Sequence, residues 1–311
     1  MNRKVLVYIL ISLFCPFIEI LGNIYNEDFK GRIAISSDGN EHDDDDWSAT
    51  AFSLALLKAG GLSNKLSLYI YCDHIWGSNQ TYPLKSGMSA YDHMKESALT
   101  GKALFGFNNT KFICAVDNAE VAYEAMKNEI NISSETNPLT IIAAGPMQVI
   151  GEAISRSNKE CLKHVTIISH SHWNETHANK CHAKREKNKQ WWDVHDGWTL
   201  DLIKNNFSKY GLTIKRIKDQ NGKDEDTGLY CKIKQFDWLK SSKAKDNSFY
   251  KKGSWEWLYS RLEVCIKGKN KDCFDISDAG MIMYLLTGKE DNSANDVRLI
   301  LENPEMPSKW K

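Results

Sequence analysis

The sequence predicts an α/β fold: a mainly parallel, Rossmann-like open sheet with helices on both faces. Short apolar strands alternate with helical segments through the first two-thirds of the chain, as in sheets covered on both sides. Polar residues also stand immediately after those strands, where open α/β sheets place their sites.

The elements follow in order. Arg32 to Ser37 is an apolar strand that ends in Asp38, and its core, Ile33 to Ser37, is expected at the centre of the sheet. Trp47 to Ala59 is an Ala/Leu-rich helix stopped by Gly60-Gly61. Leu66 to Cys72 is a strand followed by Asp73-His74, and Lys111 to Val116 is a strand between the helices Tyr91–Leu104 and Asn118–Asn128. Leu139 to Ala144 is a strand that leads through Gly145-Pro146 into a helix reaching about Arg156. His164 to Ser169 is a strand followed by His170 and His172, Trp198 to Tyr210 a helix, and Leu212 to Ile217 the last strand. Beyond Lys218 the chain is lysine-rich and less regular; it holds Trp238, Trp255, Trp257 and a helix from Ile276 to Leu286.

The first 22 residues read as an export signal. Arg3 and Lys4 precede the apolar run Val5 to Phe14, and a small-residue exit follows near Leu21-Gly22. An uncleaved anchor is the rival, but Pro16 and Glu19 break the run well short of the about 20 residues of a membrane span. Residues 23–311 then form one domain, secreted or periplasmic, with no stable membrane insertion. The 40 basic and 40 acidic side chains cancel, so there is no overall field to gather nucleic acid. A homo-oligomer is left open. The basic stretch Lys180 to Lys189 reads as a solvated loop.

Seven cysteines remain beyond Cys15, with no CxxC, which suggests neither a zinc knuckle nor a redox motif. Cys265 and Cys273 could close a small loop; Cys72 and Cys114 sit in apolar strands, where buried free thiols are expected. Sequons occur at Asn79, Asn108, Asn131, Asn174 and Asn206.

The most informative segment runs from Ser36 to Trp47. It puts six carboxylates into nine positions between a strand and a helix that are both buried. Like charges this close repel, and burial raises the cost. A hard cation with oxygen ligands, such as Ca2+, removes the conflict. A solvated acidic loop that caps the helix explains one or two of these aspartates and not the rest.

Three segments in order resemble the nucleoside hydrolases. The first is the strand Ile33–Ser37 leading to Asp38-Gly39-Asn40, then Asp45-Asp46 and Trp47-Ser48-Ala49, similar to that family's strand, Asp-Pro-Gly-x-Asp-Asp loop and Ala-rich helix. The second is Ile141-Ile142-Ala143-Ala144-Gly145-Pro146-Met147-Gln148, and the third is Ser277-Asp278-Ala279-Gly280 before an apolar helix. The resemblance implies one calcium held by Asp38, Asp46, Asp278 and the backbone carbonyl of Gln148. It also implies that Asp38 is the base for a metal-bound water, which attacks the anomeric carbon of a small sugar or nucleoside-like ligand. Asp45 would hold sugar hydroxyls, with Asn40, His74, His170, His172 and Asn174 as further substrate contacts. The function implied is cleavage of an N- or O-glycosidic bond by an exported member of the superfamily.

The chain departs from that pattern in three places. The loop between Asp38 and Asp45 is three residues longer, and without a gap Asp43 would replace Asp46. Ser36 stands where the family often has an aspartate. Ser277 stands where many members have a histidine acid, a role His170 or His172 could take over. Trp76 could line the same mouth or simply pack in the core, and Trp191-Trp192-Asp193 could form a sugar-stacking wall. Two other functions are consistent with the residues. A non-catalytic exported glycan-binding protein on the same fold would explain Ser277. A metallophosphoesterase would use Asn40, His42 and the His170-Ser171-His172 pair, but lacks the upstream ligands such enzymes need.

Overall fold

The computed structural model describes residues 30–40, 44–76, 87–178, 197–222, 228–267 and 272–304. Its centre is a six-stranded, all-parallel sheet in the order β3-β2-β1-β4-β5-β6. The strands are β1 (Arg32–Ser37), β2 (Leu66–Tyr71), β3 (Lys111–Cys114), β4 (Leu139–Ala144), β5 (Val165–Ser169) and β6 (Thr213–Arg216). β1 is central as expected, with Ile35 in register with Tyr69 on one side and Ile142 on the other. The chain winds outward from β1 through β2 to β3, then returns to β4 and winds the other way. The strand order therefore reverses between β1 and β4, which is where such sheets open a crevice at their carboxyl ends.

Both faces are buried. Ile33 and Ile35 enter one core and Ala34 the other; Ile142 and Ala144 enter the first, Ile141 and Ala143 the second. This two-sided burial is why the strands read as apolar runs and not as alternations. α1 (Asp45–Ala59) is buried almost all round. It packs against α2 (Ala90–Phe105), α8 (Ser254–Lys267), α9 (Ala279–Thr287) and α10 (Ala294–Glu302), which is what an apolar helix without a polar face requires. The opposite core takes side chains from α3 (Ala119–Asn131), α4 (Gln148–Arg156) and α6 (Leu200–Phe207). The short helices α5 (His172–Thr176) and α7 (Trp238–Ser241) complete the set, and Trp76, Trp238 and Trp255 are core residues. Among the described residues no helix is long and apolar enough to cross a membrane.

The last third differs from the sequence expectation. Leu212–Ile217 is not the last strand, because β7 (Tyr230–Lys232) pairs antiparallel with β8 (Cys273–Asp275). Three-residue strands are too short to carry a periodic signal. The helix expected from Ile276 begins at Ala279, and residues 276–278 form the turn that leads Asp278 out of β8. Cys265 and Cys273 do not close a loop: both are free thiols, with Cys265 donating to the carbonyl of Asp44 at 2.9 Å. That bond, and one from Ser48 Oγ to the carbonyl of Asp275 at 3.1 Å, tie the start of α1 to the C-terminal segment. The export signal, the Lys180–Lys189 stretch and Trp191-Trp192-Asp193 lie outside the described residues.

Candidate metal centre

Asp38 leaves the carboxyl end of β1, Asp46 stands in the first turn of α1, and Asp278 precedes α9. Their carboxylate oxygens all lie within 4.8 Å of one another. Asp38 and Asp46 are buried at 2% and 3% exposure, so solvent does little to relieve their repulsion. Two local features permit the approach. Gly39 has φ +85, and a Cβ there would meet Asp46 Cβ at 2.8 Å, so the turn after β1 accepts glycine and little else. Trp47 Nε1 donates to the Gly39 carbonyl at 2.8 Å and fixes the turn against the helix.

These aspartates do not serve as helix caps. Asp278 occupies the cap position of α9, yet its side chain makes no capping hydrogen bond. Its Oδ1 instead meets His170 Nε2 at 2.7 Å and Asn174 Nδ2 at 3.4 Å. Asp46 Oδ1 accepts from Ser37 Oγ at 3.4 Å. The longer-loop register therefore puts Asp46 in the cluster; the alternative, Asp43, lies outside the described residues.

Burial pushes the Asp38 carboxyl well above the ordinary range. The hydrogen bond with Asp46 works against this, and the charges of Asp73 and Asp278 add to it. Asp73, at the carboxyl end of β2, is pushed up to about 8, first by burial. Its Oδ2 accepts from Ser36 Oγ at 2.5 Å, while Oδ1 is buried with no hydrogen-bond partner. Gly145, after β4, is what admits this carboxylate, since a Cβ there would sit 2.4 Å from Asp73 Oδ1 and 2.9 Å from the Asp38 nitrogen. An all-oxygen set of converging buried carboxylates fits a hard divalent cation, which would favour their ionised forms.

A cleft of about 220 Å³ opens over the cluster, lined among others by Asp45, Asp46, His170, Trp173, Asn174 and Asp278. It is smaller than the roughly 300–1,000 Å³ typical of drug-sized ligands. Asp275 also lines it and is pushed up to about 7, by burial first and then by Asp45.

The other expected residues divide. Asn174 lines the cleft, and at 5% exposure it is no glycan acceptor in this fold. His170 also lines it, but as a support and not as a free acid. Nε2 lies 2.7 Å from Asp278 Oδ1, and Nδ1 faces the Gln220 backbone nitrogen at 3.3 Å and Asp219 at 3.6 Å. Burial alone would lower its pKa; Asp219 and Asp278 outweigh burial and lift it to about 9. His172 is exposed and off the cleft, because the helix that starts there turns Asn174 inward instead. The expectation of substrate contact by His172 is therefore corrected, and no His170–His172 ligand pair forms. Asn40 and His74 are buried beneath the cleft and do not line it: Asn40 Nδ2 donates to the His74 carbonyl at 3.2 Å, and His74 Nε2 faces His177 Nε2 at 3.0 Å.

Gln148 is the first residue of α4, and its Oε1 accepts from the Trp198 backbone N–H at 3.1 Å. Trp173, Asp219 and Asp275 stand at or beside the site without having been expected there. Asp73 was noted after its strand without a role, although its position matched that of Asp38.

If a cation sits between the three aspartates and His170 orients Asp278, His170→Ala should weaken its binding about 10–100-fold, the usual effect of removing a residue that aims a metal ligand. Calcium titration of the variant checks this, and an unchanged affinity would show that Asp278 needs no such support.

Fold and site together define a Rossmann-like α/β protein with a carboxylate cluster at the switch point of its sheet. The chain is 31% identical over 284 residues to a protein of Formosa agariphila described as uncharacterized protein P22, covering 88% of this chain and 91% of that one. It belongs to the same family as that protein. No family model matches the chain, and no solved structure matches it.

Proposed function

We propose that the protein is a calcium-dependent hydrolase of the nucleoside-hydrolase-like type, cleaving an N- or O-glycosidic bond of a small sugar conjugate. The observation that carries this reading is the meeting of Asp278 with Asp38 and Asp46, from 240 positions away in the sequence. A capping loop needs nothing from Asp278, whereas a cation site does. Asp38, Asp46 and Asp278 would hold the ion, and their oxygen-only chemistry suits calcium. When bound, such an ion lowers the pKa of a water and orients it for attack.

The protein's own residues do the rest. Asp38, innermost of the three, takes the proton of the attacking water. His170 and Asn174 hold Asp278 in place from one side. Asp45 and Asp275 offer acceptors to sugar hydroxyls along the cleft, and Trp173 offers an apolar wall.

Calcium should stabilise the fold, because the unfolded chain does not hold the three carboxylates together. A free concentration of 100 times Kd should add about 2.7 kcal/mol. Thermal melts with calcium and with chelator check this; coincident curves would remove the calcium proposal.

One observation favours a second reading. Both ring nitrogens of His170 are engaged and Ser277 carries no acid, which suits a non-catalytic exported glycan-binding protein on the same fold. Turnover by the wild-type protein of a chromogenic nitrophenyl riboside, set against ligand binding alone, separates the two.

A further inference from the structure

Side chains along β2 alternate between the two cores. Leu68 and Ile70 enter the core beside α3 and α4, and Tyr69 and Tyr71 enter the core beside α1. Cys72 should follow Ile70, yet it joins Tyr71 on the α1 side. Its backbone is the cause: φ is +54, the one positive value outside glycine among the described residues. A left-handed residue at the end of a strand breaks the alternation of period two.

That turn brings Cys72 to Cys114. Cys114 ends β3 on the same face, in register with Tyr71, so Cys72 is one residue past its neighbour across the ladder. Tyr71 and Cys114 are ladder partners on strands about 4.8 Å apart, and Cys72 is the residue bonded next to Tyr71. Disulfides span about 4.4–6.8 Å. Burial and then Cys114 push the Cys72 thiol up, and Cys72 draws the Cys114 thiol down, as neighbouring sulfurs do. The remaining described cysteines are placed differently. Cys161 and Cys265 donate to the carbonyls of Asn131 and Asp44. Cys231 and Cys273 are offset by one residue across the β7–β8 pair, which points them to opposite faces.

We propose that Cys72 and Cys114 are a covalent modification site, a dithiol that a peroxide converts to an intramolecular disulfide one residue from Asp73. Cys114, the less buried at 9% exposure against 0%, reacts first. Its sulfur attacks one oxygen of hydrogen peroxide, breaking the O–O bond to give a sulfenic acid and one water. The sulfur of Cys72 then displaces the hydroxyl group from Cys114, its proton leaving with that group as a second water. Two electrons pass from the thiol pair to the peroxide, and one S–S bond forms. The cross-link pins the carboxyl end of β2, and with it Asp73, to β3. The proposal does not depend on the activity proposed above.

The test treats the folded full-length protein with hydrogen peroxide, quenches it, alkylates the remaining thiols under denaturing conditions and maps the peptides. The expected result is a loss of about 2 Da and a linked peptide pair carrying Cys72 and Cys114, both reversed by a dithiol reductant. Cys114→Ser should show no such loss, and its far-UV circular dichroism checks that it has folded. Complete alkylation of the treated wild type, a cross-link between other cysteines, or the same loss in Cys114→Ser would each overturn the proposal.

Discussion

Replacing Asp278 with Ala should abolish calcium binding and turnover together while leaving the fold intact. At an effective dielectric of 20, two unit charges about 4 Å apart repel by about 4 kcal/mol. Asp38, Asp46 and Asp278 form three such pairs within 4.8 Å, two of them involving Asp38, which is almost fully buried. A cation or bound protons must relieve that repulsion. Removing one carboxylate relieves part of it but also removes the partner of His170, so the metal-free variant should stay folded at some cost in stability. It should, however, bind calcium more weakly by about 100-fold or more, beyond the effect of losing a supporting residue. Calorimetric titration beside circular dichroism measures both. If the variant bound calcium as tightly as wild type, Asp278 would be no ligand.

Asp38→Asn should give the other large effect, with a different signature. The amide keeps an oxygen and the same shape but cannot take a proton. Removal of a positioned base costs about 10²–10⁴-fold in rate. Turnover of the nitrophenyl riboside should fall by that factor while ligand affinity changes far less, a loss in kcat rather than KM. A variant with wild-type kcat would remove Asp38 as the base. A wild-type protein that binds the riboside and never turns it over would favour the glycan-binding reading.

Much of the fold was legible because strand burial and site position leave local traces. The apolar runs 32–37 and 139–144 match β1 and β4 residue for residue, and the acidic loop between a strand and an Ala/Leu-rich helix marked the crevice. Asp278 was legible only through family resemblance, since nothing local to Ser277-Asp278-Ala279 distinguishes a ligand from a helix cap. Its missing cap bond and its contact with His170 are properties of the folded chain.

The failures have definite physical causes. His172 and Asn174 are two residues apart, and a short helix sends one outward and the other inward, a choice the sequence does not display. Asp73 and Asp275 owe their raised pKa first to burial among elements distant in sequence, and Asp275 next to Asp45 at the start of α1. Cys72 leaves no sequence trace of its left-handed backbone.

The measurement that most directly tests the central claim is a crystal structure grown with calcium, with anomalous difference density used to locate the ion. One ion is expected, with carboxylate oxygens of Asp38, Asp46 and Asp278 at about 2.3–2.6 Å. Density elsewhere in the molecule, or none between these three aspartates at saturating calcium, would contradict it.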